Sequence, residues 1–279
     1  MSAPLYLTRN AHRTWLKWHR GRRRASDPVF TGARILEAVQ LGASVEIDLV
    51  IHADRGFAVL HDKTLERETT GTGRVVDTPA VQLRALHLRS EDGSPIPDHV
   101  MLLEDLCALL AKHHPHPDAL LQLDFKEDLS ALDPSAVTNF ASAVAPIASA
   151  LILSGGDADA IALLAEHTPG LRTGYDPCYG ASLARLQETG DFATFTTDAL
   201  RAAPRAEMIY LHHALILEAD RAGFDIIAAL HANNRRVDAW TIKAADDTTK
   251  PLIARLLELR VDQITTDDPE GVLDLMGAA

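Results

Sequence analysis

Two carboxylates two positions apart, Glu46 and Asp48, sit inside the apolar run Val45-Glu46-Ile47-Asp48-Leu49-Val50-Ile51. The run alternates and is rich in β-branched residues, so it reads as a strand. Residues two apart in a strand point to one face. In a barrel that face is the interior, where two carboxylates are costly unless a cation or donor compensates them. Asp124, near the charged end of Ala119-Leu120-Leu121-Gln122-Leu123-Asp124-Phe125-Lys126, offers a third oxygen ligand. Three carboxylates suit a hard divalent cation, Mg²⁺ or Ca²⁺, rather than zinc. The competing readings of Glu46 and Asp48 are a solvent-facing strand or pairing with arginine. His19 and His61 fall at strand or loop ends, and two imidazoles can serve as general base and general acid because they titrate near neutral pH. Arg20 follows His19 and its guanidinium could fork onto a phosphate. Lys126 lies two beyond Asp124, on the same face, where it could neutralise the carboxylates or hold a phosphate oxygen. Of the remaining histidines, His113, His114 and His116 flank two prolines and read as a helix end and loop. His212 and His213, adjacent in a strand, would point to opposite faces and could not chelate together.

These groups need a scaffold that gathers strand ends. Residues 31–42 read as a short helix with Ile35, Leu36 and Val39 on one face and Gly42 as its stop. Strands follow at 45–51 and 57–60, then a polar, turn-rich excursion over 63–99. Beyond it come a helix at 102–111, a strand at 119–126, a helix at 135–148, a strand at 150–154, a helix at 157–167 and a strand at 171–175. A helix near 181–189, strands near 207–211 and 236–242, a helix at 250–259 and a strand at 262–266 complete the alternation. Strands alternating with helices predict a parallel sheet, and near eight of them over 279 residues fit a closed (β/α)8 TIM barrel. No long linker cuts the chain, so 1–279 is expected to form a single domain.

Composition narrows the function further. With 27 Lys+Arg against 39 Asp+Glu the formal charge is −12, which argues against general nucleic-acid binding, because neutralising phosphates takes an excess of Lys and Arg. The basic residues nevertheless concentrate at His19-Arg20-Gly21-Arg22-Arg23-Arg24, four arginines in six positions. Arg22, Arg23 and Arg24 are too many for one small anion and read as solvated loop charges, or else as contacts to a larger anionic substrate or an acidic surface. Cys107 and Cys178 make no disulfide framework or Cys-x-x-Cys motif and read as small buried hydrophobes. No uninterrupted apolar segment marks a signal peptide or an integral membrane segment, so the expected location is cytoplasmic. The sequence does not specify an oligomeric state.

The motifs together resemble the glycerophosphodiester phosphodiesterase family. The resemblance begins at His19-Arg20-Gly21 and continues through Val45-Glu46-Ile47-Asp48-Leu49, Val59-Leu60-His61-Asp62 and the stretch from Leu65 to Val75. It passes through Ile96-Pro97 and Leu121-Gln122-Leu123-Asp124-Phe125-Lys126. It returns at Val237-Asp238-Ala239-Trp240-Thr241-Ile242 and at Val261 to Pro269, while 127–235 match thinly. The resemblance implies a (β/α)8 barrel with a small insertion after the His-Asp strand, at about 63–99. It also implies a divalent cation held by Glu46, Asp48 and Asp124, His19 and His61 as the acid/base pair, and Arg20 and Lys126 on the phosphate. Trp240 is implied as part of the pocket wall. Two departures stand out. Where the family carries Pro-Glu-Asn-Thr this chain has Pro28-Val29-Phe30-Thr31, which would make that part of the pocket apolar at Phe30. Asp124 replaces the usual Glu, one methylene shorter.

The expected reaction is hydrolysis of a small-molecule phosphodiester bearing a hydroxyl beside the ester oxygen, through a cyclic phosphate that water then opens. The alternatives are a lyase like the sphingomyelinase D branch, which stops at the cyclic product, a barrel that binds phosphodiesters without turning them over, and an interaction protein working through the arginine knot.

Overall fold

The structure is a computed structural model and describes residues 5–277. Twelve strands run in the order β1 (Tyr6–Arg9), β2 (His12–Trp18), β3 (Ser44–Ile51), β4 (Phe57–Val59), β5 (His87–Arg89), β6 (Pro95–His99), β7 (Leu120–Phe125), β8 (Leu151–Gly155), β9 (Arg172–Tyr175), β10 (Met208–His212), β11 (Arg236–Ile242) and β12 (Gln263–Thr266). Eight of them, β2, β3, β7, β8, β9, β10, β11 and β12, pair in parallel in that order, and β12 pairs back onto β2 to close a (β/α)8 barrel. β1 and β4 ride antiparallel on β2 and β3. The excursion at 63–99 carries the β5–β6 hairpin and packs outside the barrel sheet.

Helices cover the outside of the strands. Gly42 ends the helix Gly32–Leu41 in the left-handed conformation, φ 84°, as its sequence position predicts. Aspartates cap many of the later helices: Asp133, Asp157, Asp191, Asp225 and Asp268 each accept backbone N–H groups at a helix start. Part of the chain's acidity is thus structural. The helix expected at 135–148 runs as Pro134–Val144 and then tightens into 3₁₀ turns over Ala145–Ala150, where Pro146 removes a donor from the ladder. Helices Phe192–Ala202, His213–Arg221, Ile226–His231 and Pro269–Met276 lie in stretches that the sequence pattern left unassigned.

β2 is the main element that the sequence pattern did not predict. Its inward-facing Lys17 makes the run His12–Trp18 look like surface, but Lys17 is 2% exposed and its charge is met inside the barrel. Lys17 Nζ lies 2.9 Å from Asp238 Oδ2 on β11 and donates to Gln122 Oε1 on β7. Gln122 Nε2 donates to Ser154 Oγ at 2.8 Å, and Ser154 Oγ donates to Asp124 Oδ1 at 3.2 Å. This polar layer is the floor on which the site stands. Leu120, Ile152 and Met208 pack with Tyr210 inside the barrel, and the Tyr210 ring also lines the cavity. Cys107 and Cys178 are free and buried. Among the described residues no helix is long and apolar enough to cross a membrane.

Candidate active site

All eight residues of β3 are buried, and Glu46 and Asp48 lie on its inward side. Parallel pairing with β7 sets Asp48 beside Asp124 in register. One oxygen from each of Glu46, Asp48 and Asp124 lies within 4.8 Å of the others. Asp48 is 1% exposed, and among the described residues neither of its oxygens meets a donor in hydrogen-bonding geometry, although Lys126 Nζ stands 2.7 Å and Arg20 Nε 3.1 Å away. Burial opposes the charge on Asp48, but Lys126 and Arg20 outweigh it and hold Asp48 well below the usual carboxylate range. Burial and the neighbouring Asp48 charge push Glu46 well up. Lys126 also pairs with Asp124, and these anions raise its pKa despite its burial. Three converging, oxygen-only donors with spare lone pairs fit a hard divalent cation.

β2 ends in a tight turn, His19–Gly21. Arg20 adopts a left-handed φ of 54°, which aims its N–H at Glu46 Oε2, 2.9 Å away. Gly21 is also left-handed, φ 75°, and a Cβ there would meet Ile35 Cγ1 at 3.0 Å, so the turn needs glycine. His19 Nδ1 pairs with Asp267 Oδ1 at 2.5 Å, and its Nε2 faces Glu46 Oε2 at 3.8 Å. Burial lowers the His19 pKa against the pull of Asp267. His61 follows β4. Its Nδ1 lies 2.8 Å from Asp62 Oδ1, and Arg67 bonds Asp62, holding that carboxyl at about 2.

His19, Arg20, Glu46, His61, Asp124, Lys126 and Trp240 line one cavity of about 190 Å³ at the C-terminal ends of the strands, with Lys17 and Gln122 in its floor. Asp48 lies buried behind them. Trp240 stacks on Tyr179, ring centroids 6.1 Å apart, and meets His212 edge-on at 5.0 Å, so it belongs to an aromatic wall.

Three expectations are corrected. Phe30 does not line the cavity. It is 1% exposed in the core, its ring 5.7 Å from the Arg20 guanidinium carbon, while Val29 faces a neighbouring cavity. Nor is the arginine knot a uniformly solvated run: Arg22 is buried and only Arg24 is exposed. Arg22 is 6% exposed and bonds Asp267 at 2.6 Å and Glu91 at 2.7 Å, while Arg23 pairs with Glu37 and Glu270, and Arg24 with Glu270 and Asp274. Nor do His212 and His213 point to opposite faces. The strand ends at His212 and a helix begins at His213, so their rings stack at 4.5 Å.

Four groups at or beside the cavity received no role from the sequence. Asp267 follows β12 and grips His19; Arg22 grips Asp267. Glu68, from the insertion, accepts the backbone N–H groups of His61 and Asp62. Asp176 follows β9, lines the cavity at 7% exposure and accepts the Cys178 N–H at 2.8 Å; burial pushes its carboxyl up to about 8. Asp176 and Asp267 carried an available signal: each follows the C-terminal end of a barrel strand, where barrel enzymes place their functional groups.

Comparison with known proteins agrees with the barrel fold. Residues 19–271 match the glycerophosphoryl diester phosphodiesterase family. The chain belongs to that family. It is a phosphoric diester hydrolase by membership, and its expected site residues, His19 to Trp240, all lie inside the matched span. No curated protein matches the sequence. Among solved structures the fold is similar to an Oleispira antarctica phosphodiesterase in complex with the product sn-glycerol-3-phosphate, at 19% identity and TM-score 0.66, covering 94% of this chain and 96% of that one. It is similar also to the glycerophosphodiester phosphodiesterases of Agrobacterium tumefaciens (21%, TM-score 0.64, 95% and 100%) and Thermotoga maritima (20%, TM-score 0.61, 95% and 99%).

Proposed function

We propose that the chain acts as one barrel domain that hydrolyses a glycerophosphodiester-like small molecule to an alcohol and a phosphomonoester, with a divalent cation and through a cyclic phosphate. The observation that carries the reading is a single cavity in which His19 and His61 face the carboxylate cluster of Glu46, Asp48 and Asp124. A cation held by that cluster would supply Lewis acidity to the phosphate and to the substrate hydroxyl.

The protein's own groups divide the rest of the work. Asp267 accepts from Nδ1–H of His19, which leaves Nε2 with its lone pair toward the cluster. Burial keeps that imidazole neutral, so His19 is the base that takes the hydroxyl proton. The freed oxygen attacks phosphorus, a new P–O bond closes the ring, and the bond to the leaving alcohol breaks. His61, oriented through Nδ1 by ionised Asp62, gives its Nε2 proton to that alcohol. Water then opens the ring with the two histidines in exchanged roles. Arg20 and Lys126 hold the non-bridging oxygens, and Trp240 with Tyr179 bounds the organic group. By analogy with the Oleispira protein, the monoester would be sn-glycerol-3-phosphate.

The test is a panel of glycerophosphodiesters and related sugar and lipid diesters, assayed with Mg²⁺, with Ca²⁺ and with chelator, the products read by phosphorus NMR. Metal-stimulated release of a phosphomonoester supports the reading. Accumulation of the cyclic phosphate alone assigns the lyase reaction instead, and absence of turnover across the panel refutes both.

A further inference from the structure

Among the described residues, the lysines and arginine that line the active-site cavity are matched by carboxylates, with Lys243 as the exception. Lys17 pairs with Asp238, Arg20 with Asp48, and Lys126 with Asp48 and Asp124. Lys243 lines the same cavity, is exposed, and forms no ion pair or hydrogen bond among the described residues. Its place in the fold sets it apart from the proposed phosphate ligands. β11 carries Trp240 and ends at Ile242, so Lys243 is the first residue beyond the strand. In the closed order of eight strands β11 stands four places from β7, across the barrel from Asp124 and Lys126. Lys243 shares its side of the cavity with Trp240 and with Tyr179, which stacks on Trp240 and is 50% exposed.

In the proposed reaction that side bounds the organic group of the substrate rather than its phosphate. Aromatic faces alone would favour a cationic group there, such as a quaternary ammonium, by cation–π attraction. An ammonium beside them reverses the preference, because it repels a like charge and attracts an opposite one. Asp176, the acid that follows β9 on that side, does not offset it, because burial pushes its carboxyl up to about 8. We propose that Lys243 is a specificity-determining residue and that the preferred diester carries a second negative charge on its organic group. The proposal rests on the reading of the cavity as a phosphodiesterase site with Trp240 and Tyr179 around that group.

The experiment uses three diesters of sn-glycerol-3-phosphate whose alcohols are similar in size and differ in charge: hydroxypropionate, propanediol and choline. The readout is the ratio of kcat/KM between alcohols, in which a general loss of activity cancels. Wild type should favour hydroxypropionate over propanediol by about twofold to fivefold, the size expected of a solvent-exposed charge pair, with choline last. The preference should shrink as salt is raised. Lys243→Gln should bring the hydroxypropionate to propanediol ratio near one, and Lys243→Glu should move the preference to choline. Lys112→Glu makes the same charge change at an exposed position near the end of helix Leu103–His113, which leads into the start of β7, and should leave the wild-type ratios in place. Ratios unmoved by Lys243→Glu, or moved equally by Lys112→Glu, overturn the proposal. Equilibrium binding of the same three diesters to the chelated protein gives a reading that needs no turnover. A protein inert on every diester that still binds the hydroxypropionate diester best, and loses that preference in Lys243→Gln, sinks the proposed function and leaves the Lys243 assignment standing. Turnover with no charge preference does the reverse, and neither turnover nor binding sinks both.

Discussion

Asp176 offers a prediction whose size follows from its surroundings. Its carboxyl is buried in the cavity wall with the Cys178 N–H on one oxygen, and burial raises its pKa from an ordinary 3.8 to about 8. An unfolded chain releases that proton near pH 4, while the folded protein keeps it until about pH 8. Between those limits the native state binds more protons than the unfolded state, so stability falls as pH rises, and it stops falling above the folded pKa. A full proton of difference amounts to about 1.4 kcal/mol per pH unit, so from about pH 5 to about pH 8 the loss assignable to Asp176 is on the order of 3–4 kcal/mol. Asp176→Asn keeps the acceptor for Cys178 and cannot ionise. In urea unfolding with chelator present, the variant should gain on wild type by roughly 1 kcal/mol per pH unit across that window, all other titrating groups being common to both. A stability difference that stays flat with pH would refute the reasoning, because it would mean that Asp176 ionises in the folded protein as easily as in the unfolded one. The expected gain would instead mark the acid as a cost of building the cavity, tolerated where a substrate must bind.

Other outcomes follow from the same geometry. His61→Ala should lower turnover by about 10²–10⁴ while melting like wild type, since the side chain is about a third exposed and its loss opens no core cavity; near-normal turnover by pure protein would remove the proposed acid. Lys17→Met should cost about 3–5 kcal/mol in urea unfolding by stranding Asp238 in the barrel, and adding Asp238→Leu should recover most of it. Arg22→Ala should cut turnover about tenfold by loosening Asp267 and thus His19, whereas Arg24→Ala, at a side chain about half exposed, should change stability by less than about 0.5 kcal/mol and leave activity alone. Equal effects of the two arginine variants would show that the Arg22 pairing does not orient the site.

The barrel, and the candidate side chains it brings together, were largely legible in the chain because both are written in local patterns. The alternation through Val45–Ile51 placed Glu46 and Asp48 on one face, and the spacing of Asp124 and Lys126 placed a cation beside a carboxylate. Period-2 and period-3.6 patterns survive in a single stretch of sequence because each depends only on neighbouring residues. What the chain could not reveal was compensation. Lys17 looks like a surface residue until β11 brings Asp238 to it, so β2 stayed hidden. Arg22 looks solvated until β12 ends at Asp267 and the insertion delivers Glu91. Phe30 looks like pocket wall until its left-handed backbone, φ 61°, turns the ring under Arg20. In the first two cases the cost of burying a charge is settled by a partner tens or hundreds of residues away. Sequence alone determined which groups could do the chemistry and which strand ends would carry them. Tertiary structure decided which charges are neutralised and by whom, because a buried charge is tolerated only once the barrel has closed around its counterpart.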